Sequence, residues 1–172
     1  MKRLIEQLNQ TQQDYMFTGA LAASYYGTPR TTMDIDIILS LSGLDHQKIV
    51  HALREARLHV DEQKLRDAQE TGYNIVTLQD TLTPYTVDLI LTAEPLEKKP
   101  CTILGQPTYI QTPESHILAK LRMIKATRDP DRSAKDKNDV QSILKFTQVD
   151  TEKVKQTAEE ENTLQILQTI LQ

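Results

Sequence analysis

The run Phe17-Thr18-Gly19-Ala20-Leu21-Ala22-Ala23-Ser24-Tyr25-Tyr26-Gly27-Thr28-Pro29-Arg30-Thr31-Thr32-Met33-Asp34-Ile35-Asp36-Ile37-Ile38-Leu39 decides the fold. Its first half predicts the end of a strand, a glycine turn and a short alanine-rich helix stopped by Gly27 and Pro29. Its second half predicts a strand whose side chains alternate faces. Asp34 and Asp36 then point one way while Ile35 and Ile37 enter the core. Two carboxylates side by side repel, and a divalent cation is the natural compensation.

Upstream of this run, Leu4, Ile5 and Leu8 recur at helical spacing within residues 2–14, and residues 15–18 form a short apolar strand. Downstream, Ser42-Gly43 breaks the aspartate strand. Leu44, Ile49, Val50, Leu53 and Ala56 then mark the buried side of a helix through about Arg57. Residues 61–70 are charged and predict a short exposed helix or loop. Residues 73–78 alternate as a strand, and 85–91 form a second β-prone run interrupted only by Asp88, with a hairpin turn between them. Residues 101–104 and 108–110 predict a small second hairpin around Gly105.

Thr112-Pro113-Glu114 supplies a capping hydroxyl, a proline at the first helical position and an acid in the first turn. The helix it starts carries Ile117, Leu118, Leu121 and Ile124 inward and ends near Arg128-Asp129-Pro130. A second helix covers about 133–146, and Asp150 or Thr151 caps a last helical stretch to the C-terminus. This order implies an α+β (mixed α/β) fold. Residues 1–111 form a core whose mixed sheet of about five strands is flanked by helices. Residues 112–172 form C-terminal helices packed on that core, as one structural unit.

A chain of 172 residues has the length of one domain. Its 38% hydrophobic and 26% charged residues fit a soluble globular protein, and a net charge of −4 gives no global attraction to nucleic acid or membranes. The single cysteine, Cys101, excludes an internal disulfide and a thiolate zinc cluster and suits a reducing compartment. The N-terminus turns polar too early for a signal peptide, and no apolar run approaches the roughly 20 residues that span a bilayer. These features predict a cytoplasmic enzyme or binding module without a membrane partner.

Asp34, Asp36 and Asp88 each interrupt an apolar strand, and a buried ionised carboxylate is costly unless paired or coordinated. On neighbouring strands they would form an oxygen-donor site for a hard cation, which for magnesium needs only one or two carboxylates plus substrate phosphates. The alternative places Asp34 and Asp36 at an exposed strand edge and pairs Asp88 with a lysine. Gly19-Ala20, at a strand-to-helix junction, lets a phosphate reach free N–H groups at a helix N-terminus. Arg30 suits bidentate phosphate contact or an ion pair with Asp34 or a surface acid. Seven positive residues between 120 and 137 face only three acids. Among them Lys120, inside an apolar helical run, could reach phosphates or pair with a site aspartate. His46, His51, His59 and His116 lack metal-ligand spacing, Cys101 has no catalytic partner, and Ser24 reads as helix packing.

Gly19-Ala20, the segment Gly27-Thr28-Pro29-Arg30-Thr31-Thr32-Met33-Asp34-Ile35-Asp36, and Val87-Asp88-Leu89 together resemble the DNA polymerase β-type nucleotidyltransferase superfamily. They are similar in particular to its minimal prokaryotic members and to the nucleotidyltransferase toxins of abortive-infection toxin–antitoxin systems. The resemblance covers about residues 15–145, and Pro113-Glu114, Lys120, Lys135-Asp136 and Asp139 are similar to those groups' C-terminal elements. It implies a nucleoside monophosphate passing from an NTP to an acceptor hydroxyl. Asp34, Asp36 and Asp88 would be catalytic and hold Mg2+ or Mn2+. Thr18, Gly19 and Ala20 would cradle the phosphates, with Arg30 and Lys120 adding positive charge. It also implies partners: an NTP, an acceptor that could be a tRNA, a protein or a small molecule such as an aminoglycoside, and a cognate toxin or antitoxin. Apolar Leu164, Ile166, Leu167, Ile170 and Leu171 could serve a core or a homodimer equally. Ala20 departs from the superfamily's usual glycine or serine and leaves a second reading: a weak or inactive nucleotide-binding or partner-binding module on the same fold. A helical nucleic-acid binder using residues 120–137 is a third, disfavoured by the lack of interleaved aromatics.

Overall fold

The computed structural model describes residues 1–70 and 74–171. It divides into two compact units, Met1–Leu21 with Thr31–Gln111, and Ala22–Arg30 with Thr112–Gln172.

The first unit contains helices α1 (Lys2–Thr11), α3 (His46–Glu55) and α4 (Glu62–Glu70). Its strands are β1 (Tyr15–Phe17), β2 (Asp34–Ser40), β3 (Leu58–His59), β4 (Ile75–Asp80), β5 (Thr86–Thr92), β6 (Lys98–Ile103) and β7 (Gln106–Gln111). Among the described residues they form one mixed sheet in the order β3-β4-β5-β2-β1-β7-β6, seven strands where about five were expected. The aspartate strand β2 is central, antiparallel to β1 and parallel to β5. Strands β4 and β5 are antiparallel, as the turn between them predicts, although Tyr73 of the expected strand lies outside the described residues. Leu4, Ile5 and Leu8 of α1 and Ile49, Val50 and Leu53 of α3 are buried, and the two helices pack together. Phe17, Ile37, Leu39, Leu89 and Leu91 are fully buried along the central strands.

The unexpected strand β3 and the greater length of the expected β6–β7 hairpin have local causes. Arg57 takes a left-handed conformation (φ 68°) after α3 and turns the chain so that Leu58 and His59 pair with β4. Leu104 and Gly105 both have positive φ (51° and 75°), the two-residue hairpin geometry that matches strand twist, so β6 and β7 pair over their full six residues each. Strand β6 lies at the edge of the sheet, with Pro100 in its middle and Lys98 and Lys99 at its start.

Helix α2 (Gly19–Tyr26) begins in the first unit, and its residues from Ala22 onward belong to the second. The second unit also holds α5 (Pro113–Ala126), α6 (Pro130–Phe146), α7 (Thr151–Glu160) and α8 (Leu164–Leu171). Thr112 caps α5 as expected, its hydroxyl accepting the Ser115 N–H. Asp129-Pro130, read from the sequence as a stop, is also a start. The Asp129 carboxylate accepts the N–H groups of Asp131 and Arg132, and Pro130 opens α6 three residues earlier than expected. The single last helical stretch is two helices. Asn162 (φ 56°) ends α7, and the Thr163 N–H and hydroxyl both donate to the Ala158 carbonyl. No described helix is long and apolar enough to cross a membrane.

Candidate active site

Strand register assembles the acids of the first unit. Asp36 lies directly opposite Asp88, and Asp34 directly opposite Thr86. Thr77 of β4 is opposite Asp88 on its other side. One row across the sheet therefore reads Thr77, Asp88, Asp36, and the row beside it Gln79, Thr86, Asp34. The flanking positions Ile35, Ile37, Val87 and Leu89 are buried on the opposite face. Because β2 is central, Asp34 and Asp36 are not edge residues. The carboxylates are held by hydroxyls: Thr86 donates to Asp34 Oδ1 and Thr77 to Asp88 Oδ1, each at 2.6 Å. Both threonines were missed in the sequence. The signal was available as Thr-x-Asp at 86–88 and as β-branched Thr77 at the same strand phase.

The glycine turn meets this row. The Thr18 N–H donates to the Asp36 carbonyl at 3.0 Å, extending the β1–β2 ladder. Gly19 follows with φ +60°, and a Cβ placed on it would stand 1.8 Å from Asp36 Oδ2. The site therefore requires glycine here twice over, for conformation and for space. Helix α2 starts at this point, so its N-terminal end and the Asp36 carboxylate share one place. The Ala20 methyl is buried, and residue 20 can meet an anion only through its backbone.

Among the described residues, no three His, Cys, Asp or Glu side chains form a ready-made metal cluster. Magnesium does not require one: two adjacent carboxylates plus nucleotide phosphates suffice, and the in-register pair Asp36 and Asp88 has that character. The donor set fits a hard divalent ion.

Arg30 and Lys120 both belong to the second unit, where they share a carboxylate. Lys120 is 5% exposed and donates to Asp136 Oδ1 at 2.6 Å, with Asp139 Oδ2 at 3.0 Å. Arg30, partly exposed, grips Asp139 through Nε and Nη2, both at 3.2 Å. Asp136 and Asp139 are buried, and their spacing i, i+3 on α6 puts them on one helix face toward Lys120. His116, one turn before Lys120 on α5, is also buried. Burial lowers its pKa to about 3, with repulsion from Lys120 adding to the effect. The loop before Arg30 is anchored as well: Ser142 Oγ accepts the Thr28 N–H at 2.6 Å, and a Cβ on Gly27 would meet that oxygen at 2.6 Å.

A cavity of about 510 Å³ lies elsewhere in the first unit, beside Asn9, Tyr15, Lys98, Cys101, Thr108 and Tyr109. Its polar groups bond one another. The Tyr15 hydroxyl lies 2.8 Å from Asn9 Oδ1 and 2.9 Å from Thr108 Oγ1, and Lys98 pairs with Asp14. Burial pushes the Cys101 thiol up, away from the reactive thiolate.

A mixed sheet carrying three carboxylates on adjacent parallel strands, with a glycine turn set against one of them, has the fold of a nucleotidyltransferase. Solved structures of that fold are similar along most of the chain. They include an antigenic nucleotidyltransferase-like protein from Paracoccidioides brasiliensis (16% identity, TM-score 0.55, covering 94% of this chain and 88% of that one). ANT(2'')-Ia in complex with adenylyl-2''-tobramycin matches at 11% identity, TM-score 0.60, with 99% and 96% covered. The lincosamide antibiotic adenylyltransferase LnuA, lincomycin-bound, matches at 12% identity, TM-score 0.51, with 83% and 96% covered. At such identities the likeness is one of fold. No curated protein matches. The sequence matches the family described as nucleotidyl transferase AbiEii toxin, type IV TA system, over residues 3–170, and the chain belongs to that family. It is a nucleotidyltransferase.

Proposed function

We propose that the protein is a divalent-metal-dependent enzyme that moves a nucleoside monophosphate from an NTP to an acceptor hydroxyl, and that it acts as the toxin of a toxin–antitoxin pair. The observation that carries this reading is the in-register pair Asp36 and Asp88 with Gly19 pressed against Asp36. Magnesium, when bound with the nucleotide, would neutralise charge at the α-phosphate and the leaving pyrophosphate. Asp34, Asp36 and Asp88 are the residues that would hold it. Gly19 and Ala20 present backbone N–H groups at the start of α2, where the helix dipole favours the nucleotide's phosphates, and Thr18, whose own N–H is taken by the Asp36 carbonyl, leads into that turn. The acceptor oxygen forms a bond to the α-phosphorus, the α–β bridging bond breaks, pyrophosphate leaves, and the hydroxyl proton passes to the carboxylate row. The ion pairs of Arg30 and Lys120 with Asp139 support a share for both in ordering the second unit.

The acceptor is a hydroxyl of RNA, a protein or a small molecule. The deciding experiment incubates the protein with each α-labelled NTP, magnesium and either total cellular RNA, total protein or an aminoglycoside. Label is expected in one acceptor class and absent with Asp36→Ala. Transfer that persists in Asp36→Ala would overturn this site. Expression of the wild type is expected to arrest growth, and expression of Asp36→Ala is not.

A further inference from the structure

We propose that Gln111 is a positioning residue for the nucleotide turn and acts through Thr18. Thr18 ends the run from β1 and Gln111 ends β7, two strands that lie parallel with Phe17 opposite Ile110. Phe17 and Ile110 are fully buried, and the next step along both strands replaces this apolar contact by two buried polar side chains, 7% and 3% exposed. The Thr18 hydroxyl donates a hydrogen bond to Gln111 Oε1 at 2.5 Å.

A buried amide and hydroxyl are expensive to desolvate, and an apolar pair of the same volume would fill the space at lower cost. The pair does something an apolar one cannot: it locks the rotor of residue 18. Thr18 is then tied on both sides, by its N–H to Asp36 of β2 and by its hydroxyl to Gln111 of β7. Gly19, the next residue, has no side chain of its own to hold its left-handed turn, which lies in contact with the Asp36 carboxylate. Its position depends on its neighbours, and Gln111 fixes the one before it. The N–H groups that open α2 are aimed from that point.

This inference rests on the nucleotide reading of the turn. Full-length protein is titrated with each of the four magnesium–NTPs, and transfer kinetics are measured with the nucleotide that binds. For Gln111→Leu, nucleotide affinity is expected to fall about tenfold or more, with KM rising in step and kcat changing less, while thermal unfolding shifts little. Thr18→Val, which keeps the shape of the side chain, is expected to give the same loss, and the double variant no further loss. Thr18→Ser is expected to bind more tightly than Thr18→Val. Additive effects in the double variant, or an unchanged KM in both single variants, overturn the positioning role. If Gln111→Leu does not fold, Gln111→Met, which fills the space without an acceptor oxygen, takes its place in the cycle with the same criterion. A wild type that binds none of the four nucleotides overturns the nucleotide reading and the inference together, an outcome distinct from a wild type that binds and variants that bind equally well.

Discussion

The Asp36 carboxylate occupies the space that any side chain on residue 19 would need, with 1.8 Å between Oδ2 and a Cβ built on Gly19. The Asp36 carboxylate and the turn that starts a helix are thereby placed by one contact. Gly19→Ala must expel the carboxylate and also force a left-handed conformation on an L-residue, at about 1–2 kcal/mol for the conformation alone. The expected result is a loss of transfer of about 100-fold or more, since small displacements of reacting groups cost that much. Activity assays beside thermal unfolding will check it; an active Gly19→Ala would mean that the turn can open without consequence.

Asp36 and Asp88 are like charges directly opposite each other on paired strands, an arrangement that destabilises a sheet. Replacing either with asparagine relieves that repulsion. Asp36→Asn and Asp88→Asn should therefore unfold at the wild-type temperature or slightly above it in metal-free buffer. Both should lose transfer by about 1,000-fold or more. Stability held while activity disappears is the signature of a functional acid. A variant that loses both would mark a structural one.

Lys120 separates two buried carboxylates. Lys120→Met leaves Asp136 without its cation, while Asp139 keeps Arg30. Removing one partner of a buried pair costs about 3–5 kcal/mol. The double variant Lys120→Met, Asp136→Leu should regain a large part of that loss, because the remaining acid still has its arginine. Urea unfolding of the three proteins measures the difference, and a double variant no more stable than Lys120→Met would contradict the pairing.

His116 gives the fold a defined acid sensitivity. Its pKa is about 3 when folded, against an ordinary 6.5. Between those values only the unfolded chain takes up the proton, so this contribution is absent above pH 6.5 and stability falls as pH drops toward 3. One such proton amounts to about 1.4 kcal/mol per pH unit, or about 2 kcal/mol lost between pH 7 and pH 5. His116→Gln should remove that share of the slope. Parallel unfolding curves for wild type and variant at the two pH values will show it, and an identical slope would refute the burial argument.

The candidate acids Asp34, Asp36 and Asp88 stand out in the sequence because alternation along a strand is enforced by backbone geometry. A carboxylate at the wrong phase of an apolar run stands out whatever the rest of the chain does. The helix start at Thr112-Pro113 was equally plain, since it depends on three consecutive residues. What escaped depends on partners distant in the chain. Thr77 and Thr86 matter only because strand register sets them against Asp88 and Asp34. Gln111 gains its meaning from Thr18, 93 residues away. Asp129-Pro130 was read as an ending because proline breaks a helix from behind and begins one from the front, and the local string does not say which.

Strand β6 carries a last consequence, for the behaviour of many copies of the chain together. No described strand pairs with its outer side, yet Pro100 has no N–H to offer a second ladder, and Lys98 and Lys99 place charged side chains on this margin. The opposite margin of the sheet, β3, is two residues long and gives a neighbour almost nothing to bind. Molecules crowded by overproduction therefore lack a template for edge-to-edge growth, and concentrated samples should resist conversion into fibres through either margin.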